Sequence, residues 1–125
     1  MQPAVAKQIK SAAQHVKDHG YTVIKNFISK RQCQAAINEI DNLIENFQPT
    51  AEDTTVFDAV SGSSKHRLSK YFLDSSDKVS FFFEPKALVD GKIVVPKLQS
   101  INKIGHSLHE HNKIFEDITY APGVW

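Results

Sequence analysis

A chain of 125 residues is long enough for one domain around one core, burying on the order of 65% of its unfolded surface. Its 15 Lys and Arg against 14 Asp and Glu leave a formal net charge of +1, so the strong positive field that draws proteins to nucleic acid is missing. Hydrophobic content of 41% beside 23% charged residues is ordinary for a globular domain, and no apolar run approaches the roughly 20 residues of a membrane-spanning helix.

Cys33 is the only cysteine, which excludes an intrachain disulfide and a cysteine-based zinc site and makes a reducing compartment the expectation. The opening MQPAVAKQIKSAAQ lacks the continuous apolar stretch of a secretory signal, and the closing GVW is no peroxisomal address. The cytoplasm is the expected location.

From Pro3 to Asp18 the apolar residues Val5, Ile9, Ala12, Ala13 and Val16 recur with the period of a helix, with Pro3 suited to its first turn and Gly20 to its end. The β-branched run Tyr21 to Ile24 reads as a short strand, after which Asn26 turns the chain. Ser29 with Gln32 forms a capping box for a second helix, whose apolar stripe runs Cys33, Ala36, Ile37, Ile40, Leu43, Ile44, Phe47 before Pro49 ends it. Cys33 is thereby expected to be a small core side chain.

Thr50 to Lys70, polar and rich in Ser and Thr around Ser61 to Ser64, reads as a long loop with a short strand near Val56 and Phe57. His66, between Lys65 and Arg67, belongs to a solvated basic patch or, less simply, an anion site. Tyr71 to Val95 is the β-rich part, where Asp90-Gly91 between apolar flanks signals a tight hairpin. Side chains alternate along a strand, so the three adjacent residues Phe81, Phe82 and Phe83 require cover on both faces. The few helices and strands in this chain look too few to supply it, so these rings are expected to remain partly uncovered.

The stretch Ser100 to Phe115, SINKIGHSLHEHNKIF, gathers three of the six histidines. Lys103 offers a point cation for a carboxylate or phosphate, and His106, His109 and His111 offer imidazoles for a metal or a proton. With Ser100 as a helix cap, His106, His109 and Glu110 would share one helical face, which is metal-compatible spacing, while a solvated amphipathic helix accounts for the same pattern. Asn112 caps a short final helix through Ile114, Phe115 and Ile118, broken by Pro122-Gly123.

The blocks HGYTVIKNFIS, YFLDSSDKVSFFFE, ALVDGKIVVP and SINKIGHSLHEHNKIF together resemble the N-terminal part of the phytanoyl-CoA dioxygenase family, over roughly Gln8 to Thr119. The last block is the most specific, and Tyr120 to Trp125 departs from the pattern. Members of that family are iron(II)- and 2-oxoglutarate-dependent oxygenases built on a double-stranded β-helix. The resemblance therefore implies an α+β chain holding the N-terminal helices and first strands of a jelly-roll, cupin-like fold, incomplete here, as one domain over residues 1–125 with no second.

The family's iron is held by a His-x-Asp pair and a distant second His, an arrangement that leaves positions open for oxygen and co-substrate. The residues two positions after the histidines of this chain are Lys17, Tyr21, Leu68, Leu108, His111 and Lys113, so no such pair is present. His106, His109 and His111 do not correspond to the family's iron ligands. One functional position does map: Lys103 matches a residue at the 2-oxoglutarate pocket of relatives. The expectation is an N-terminal portion or short form of such a dioxygenase, with no stable iron site and no activity alone. The competing expectation is a non-catalytic binding or regulatory protein that pairs exposed strand edges and the phenylalanines with a partner protein. An independent metal-binding module built on the histidine cluster is a third.

Overall fold

The computed structural model of the chain describes residues 3–50, 53, 55–56 and 70–123. Helix α1 (Pro3–His19) forms as its periodicity predicts and ends at Gly20, whose φ of 80° is left-handed and strains any residue bearing a Cβ. Only Val5 of its apolar stripe is fully buried.

The run Tyr21 to Ile24, expected as a strand, is irregular, with Tyr21 63% and Val23 69% exposed. A strand exists only where a second backbone pairs with it, and among the described residues no strand does so here. The adjoining Lys25 uses its backbone differently: its N–H donates to Gln8 Oε1 at 2.8 Å and its C=O accepts from Gln8 Nε2 at 3.2 Å. Asn26 then turns the chain at φ 57°.

Helix α2 (Lys30–Asn46) begins with the expected capping box: Gln32 N–H donates to Ser29 Oγ at 3.2 Å, and Ser29 N–H donates to Gln32 Oε1 at 3.0 Å. Its apolar stripe is longer than the surface beneath it. Ile44 is buried and Phe47 stacks on Phe81 at 4.2 Å, whereas Cys33 is exposed and Ile37 is 54% exposed. Cys33 is therefore not the core side chain that the periodicity predicts. Periodicity marks which face a residue is on, not how far along the helix that face is covered.

The long loop contributes Val56, which bridges in parallel to Phe83, while Phe57, Ser61 to Ser64 and His66 lie outside the described residues. The β-rich part starts later than expected, because residues Lys70–Leu73 form a single helical turn, α3, braced by the Lys70–Asp74 ion pair. Strand β1 (Ser80–Phe83) follows, then the hairpin of β2 (Leu88–Val89) and β3 (Lys92–Ile93). Asp90 and Gly91 at its tip have φ of 50° and 74°, the paired left-handed values of a two-residue hairpin turn.

The stretch from Ser100 departs most from expectation. A 3-10 turn (Lys97–Gln99) ends at Ser100, which is buried and donates from Oγ to Lys97 O at 2.7 Å. Ser100 therefore does not start a helix, and Ile101–Gly105 forms strand β4, antiparallel to β1. Helices α4 (Leu108–His111) and α5 (Lys113–Thr119) complete the chain, and Asn112 caps α5 as expected by accepting from Ile114 N–H at 3.1 Å.

The β1–β4 pair organises the core. Phe81 pairs with Ile104 and Phe82 with Lys103; the register slips before Phe83, which pairs with Ile101. Phe81 and Phe83 turn to Phe47 at the end of α2, with ring centroids at 4.2 and 6.2 Å. Phe82 faces the other way, onto Tyr71 and Phe72 of α3 at 5.4 and 5.6 Å. The three rings are 8%, 0% and 0% exposed, so the cover that seemed to be missing is supplied by α2 on one face and α3 on the other. The phenylalanines are therefore not the uncovered docking surface expected from the sequence.

Candidate functional site

Residues opposite one another on paired strands share a face, which places Lys103 beside Phe82. The Lys103 ammonium lies 5.4 Å from the Phe72 ring centroid and 5.6 Å from that of Phe82, within cation–π range of both. Its stem passes Gly105, two residues on and on the same face, where a Cβ would sit 3.4 Å from Lys103 Cε. A larger side chain at 105 would push against that stem. Lys103 is thus a half-buried strand residue on an aromatic floor, not an exposed lysine at a helix start.

The floor is tied down by its neighbours. Tyr71 Oη donates to Phe81 O and accepts from Phe81 N–H, both at 3.1 Å, fastening α3 to β1. Burial pushes the Tyr71 hydroxyl above its ordinary pKa, against the lowering effect of the Phe81 backbone. His106 closes the side, edge-on to Phe72 at 5.7 Å and near Phe82 at 6.1 Å. Its Nδ1 reaches Ser75 Oγ at 2.9 Å and Ser75 O at 3.2 Å, while Ser75 Oγ is also 2.6 Å from Phe72 O. Because carbonyl oxygens only accept, the serine hydroxyl donates to Phe72 and His106 Nδ1 carries a proton toward Ser75.

The other histidines diverge from His106. His111 Nε2 donates to Asp77 O at 2.6 Å, and His109 lies 3.2 Å from Glu110 and beside the Tyr120 ring at 6.1 Å. With Ser107 Oγ donating to Ser76 O at 2.8 Å, His106 and His111 fasten the end of β4 and helix α4 to the turn at residues 75–77. The shared helical face expected for His106, His109 and Glu110 does not form, since His106 precedes α4. Among the described residues no group of three His, Cys, Asp or Glu is placed to hold a metal ion. The described residues thus assemble no iron-type donor set, and the Lys103 ammonium has the charge that a carboxylate needs.

Ser75, Tyr71 and Phe72 entered no sequence-based site. Their contribution depends on contacts with β1 and β4, for which a single sequence carries no local signal. Lys103 itself was expected at a site only through the family block around it.

Residues 16–124 match the family described as phytanoyl-CoA dioxygenase (PhyH). The chain is 39% identical over 103 residues to a phytanoyl-CoA dioxygenase of Arabidopsis thaliana, covering 82% of this chain and 35% of that one. It is 36% identical over 114 residues to phytanoyl-CoA dioxygenase domain-containing protein 1 of Danio rerio, covering 89% and 39%. For the homolog of that protein in Dictyostelium discoideum, identity is 34% over 112 residues, covering 90% and 38%. The chain thus spans less than two-fifths of the length of these curated relatives. Among the described residues no helix is long and apolar enough to cross a membrane.

Proposed function

The chain belongs to the phytanoyl-CoA dioxygenase family, and from that membership we propose that it is the N-terminal part of an iron(II)- and 2-oxoglutarate-dependent oxygenase domain. Its helices and its two small antiparallel sheets are compatible with part of a cupin-like fold. On this reading α1 and α2 flank the barrel, β1 and β4 begin it, and Lys103 forms one wall of the co-substrate pocket. The observation that carries the proposal is the placement of Lys103, in a family-specific block, half-buried on the Phe72 and Phe82 rings. An ammonium in a setting of reduced water contact attracts a carboxylate more strongly than one on an open surface.

2-Oxoglutarate, when bound, supplies the dicarboxylate co-substrate consumed in the oxidation. The residues present would orient it: Lys103 by charge, Phe72 and Phe82 by excluding water from one side, and Gly105 by leaving room for the lysine stem. These 125 residues contain no His-x-Asp pair, so the chain alone would hold no catalytic iron and would not turn over.

The test compares iron-dependent decarboxylation of 2-oxoglutarate by the 125-residue chain and by a protein continued through the remaining length of its relatives. Turnover is expected only in the longer protein. There Lys103→Ala should raise the KM for 2-oxoglutarate roughly ten- to hundredfold, the loss of one charged hydrogen bond. Turnover by the short chain, or an unchanged KM in the variant, would overturn the reading.

A further inference from the structure

Lys103 rests on Phe72, and Phe72 belongs to α3, a single helical turn of four residues. A turn that short does not hold its own geometry in water, so the place of the ring depends on what fastens α3. Tyr71 ties it to β1 through the Phe81 backbone. A second fastening comes from the end of the strand that carries Lys103. His106, the first residue after β4, donates from Nδ1 to Ser75 Oγ at 2.9 Å and to Ser75 O at 3.2 Å. Ser75 Oγ in turn donates to Phe72 O at 2.6 Å. Ser75 is 0% exposed, so water does not compete for these bonds. The imidazole also packs near the Phe72 and Phe82 rings, the same two over which the ammonium lies.

We propose that His106 is a positioning residue for Lys103, acting through Ser75 to hold Phe72 beneath the ammonium; its value for a carboxylate rests on the reading of Lys103 as a wall of the co-substrate pocket. The role asks for no contact between His106 and the carboxylate. It needs two properties on one side chain: a ring to fill the space beside two phenylalanines, and an N–H to reach a buried serine. Imidazole supplies both. The serine carbonyl only accepts, so Nδ1 keeps its proton whether the ring is neutral or charged, and the fastening does not depend on the charge of His106. Without the donor, α3 would be free to shift on that side and Phe72 with it. Water would then reach the side of the ammonium that the ring covers, and a carboxylate would be held less firmly.

The test has one readout in the 125-residue chain and one in the longer protein. In the chain, proton NMR reads the Lys103 ε-methylene, which the faces of Phe72 and Phe82 should shift upfield of its ordinary position. His106→Asn retains an N–H near the place of Nδ1 and should keep the shift. His106→Leu fills the space without a donor and should lose most of it, as should Ser75→Ala, which cuts the link at its other end. Circular dichroism checks that each variant keeps its helices. In the longer protein His106→Leu should raise the KM for 2-oxoglutarate roughly two- to tenfold, the worth of one neutral hydrogen bond, with kcat at saturation little changed. His106→Asn should restore the KM. Added to Lys103→Ala, His106→Leu should raise it no further, because it acts only through the setting of the lysine, whereas a general loss of structure would add. An unshifted ε-methylene in the parent, a shift that survives both His106→Leu and Ser75→Ala, or additive losses in KM would overturn the proposal. If the NMR pattern holds while Lys103→Ala leaves the KM unchanged, the coupling of His106 to Lys103 stands and only the co-substrate reading falls.

Discussion

Replacing Tyr71 by Phe removes one oxygen from the joint between α3 and β1 and leaves the ring in place. The edge-on contact with Phe82 at 5.4 Å persists, while the two hydrogen bonds with Phe81, each 3.1 Å long, are lost together with the hydroxyl's interactions with Ser80 and Asp53. A hydrogen bond contributes a net 0.5–1.5 kcal/mol, roughly, so the variant should be less stable by about 1–3 kcal/mol. The upper half of that range is expected, because Phe81 is 8% exposed and its stranded backbone groups gain little water. A second signature comes from pH. Burial raises the Tyr71 pKa, so between its ordinary value and the raised one the unfolded chain has lost a proton that the folded chain keeps. Fewer protons are then bound in the unfolded state, and stability falls as pH rises through that window. Tyr71→Phe removes this part of the alkaline fall and leaves the part due to Tyr120, whose hydroxyl Glu110 also holds above its ordinary value. Urea unfolding followed by circular dichroism, at neutral pH and along an alkaline series, reads both effects. A loss below about 0.5 kcal/mol at neutral pH, or parallel alkaline limbs for the two proteins, would refute the reasoning.

Phe82→Ala should destabilise by about 3–5 kcal/mol in the same assay, since Phe82 is fully buried and its ring packs against Tyr71, Phe72 and His106. Ser29→Ala should remove the capping box of α2 and lower stability by about 1 kcal/mol, whereas Ser29→Asp, which can still accept from Gln32 N–H, should retain most of it. Cys33 should react with a thiol reagent in the folded protein nearly as fast as in urea; protection by more than about tenfold would return it to the core.

The parts of the fold legible in the sequence are those whose hydrogen bonds close within a few residues. Ser29 with Gln32, Gly20, Asp90-Gly91 and Asn112 each specify a cap or turn through neighbours in the chain, and all four are found where the sequence places them. The alternation rule also required that both faces of Phe81 to Phe83 be covered, though the cover itself, Phe47 on one side and Tyr71 with Phe72 on the other, comes from residues distant in sequence. Lys103 is singled out in the sequence by its family block, but its surroundings were not legible there. SINKIG reads as a helix start when only local capping is considered, and becomes strand β4 because β1 offers it a backbone to pair with. That pairing sets Lys103 over Phe72 and Phe82, stops His106 from joining His109 on one helix, and turns its Nδ1 to Ser75. Tyr21 to Ile24 has the composition of a strand and no partner strand among the described residues, so it stays irregular. A cap or turn is a contract between near neighbours, which the sequence alone can state; a strand or a ligand's surroundings depends on which distant segments arrive beside it, and only the tertiary structure decides that.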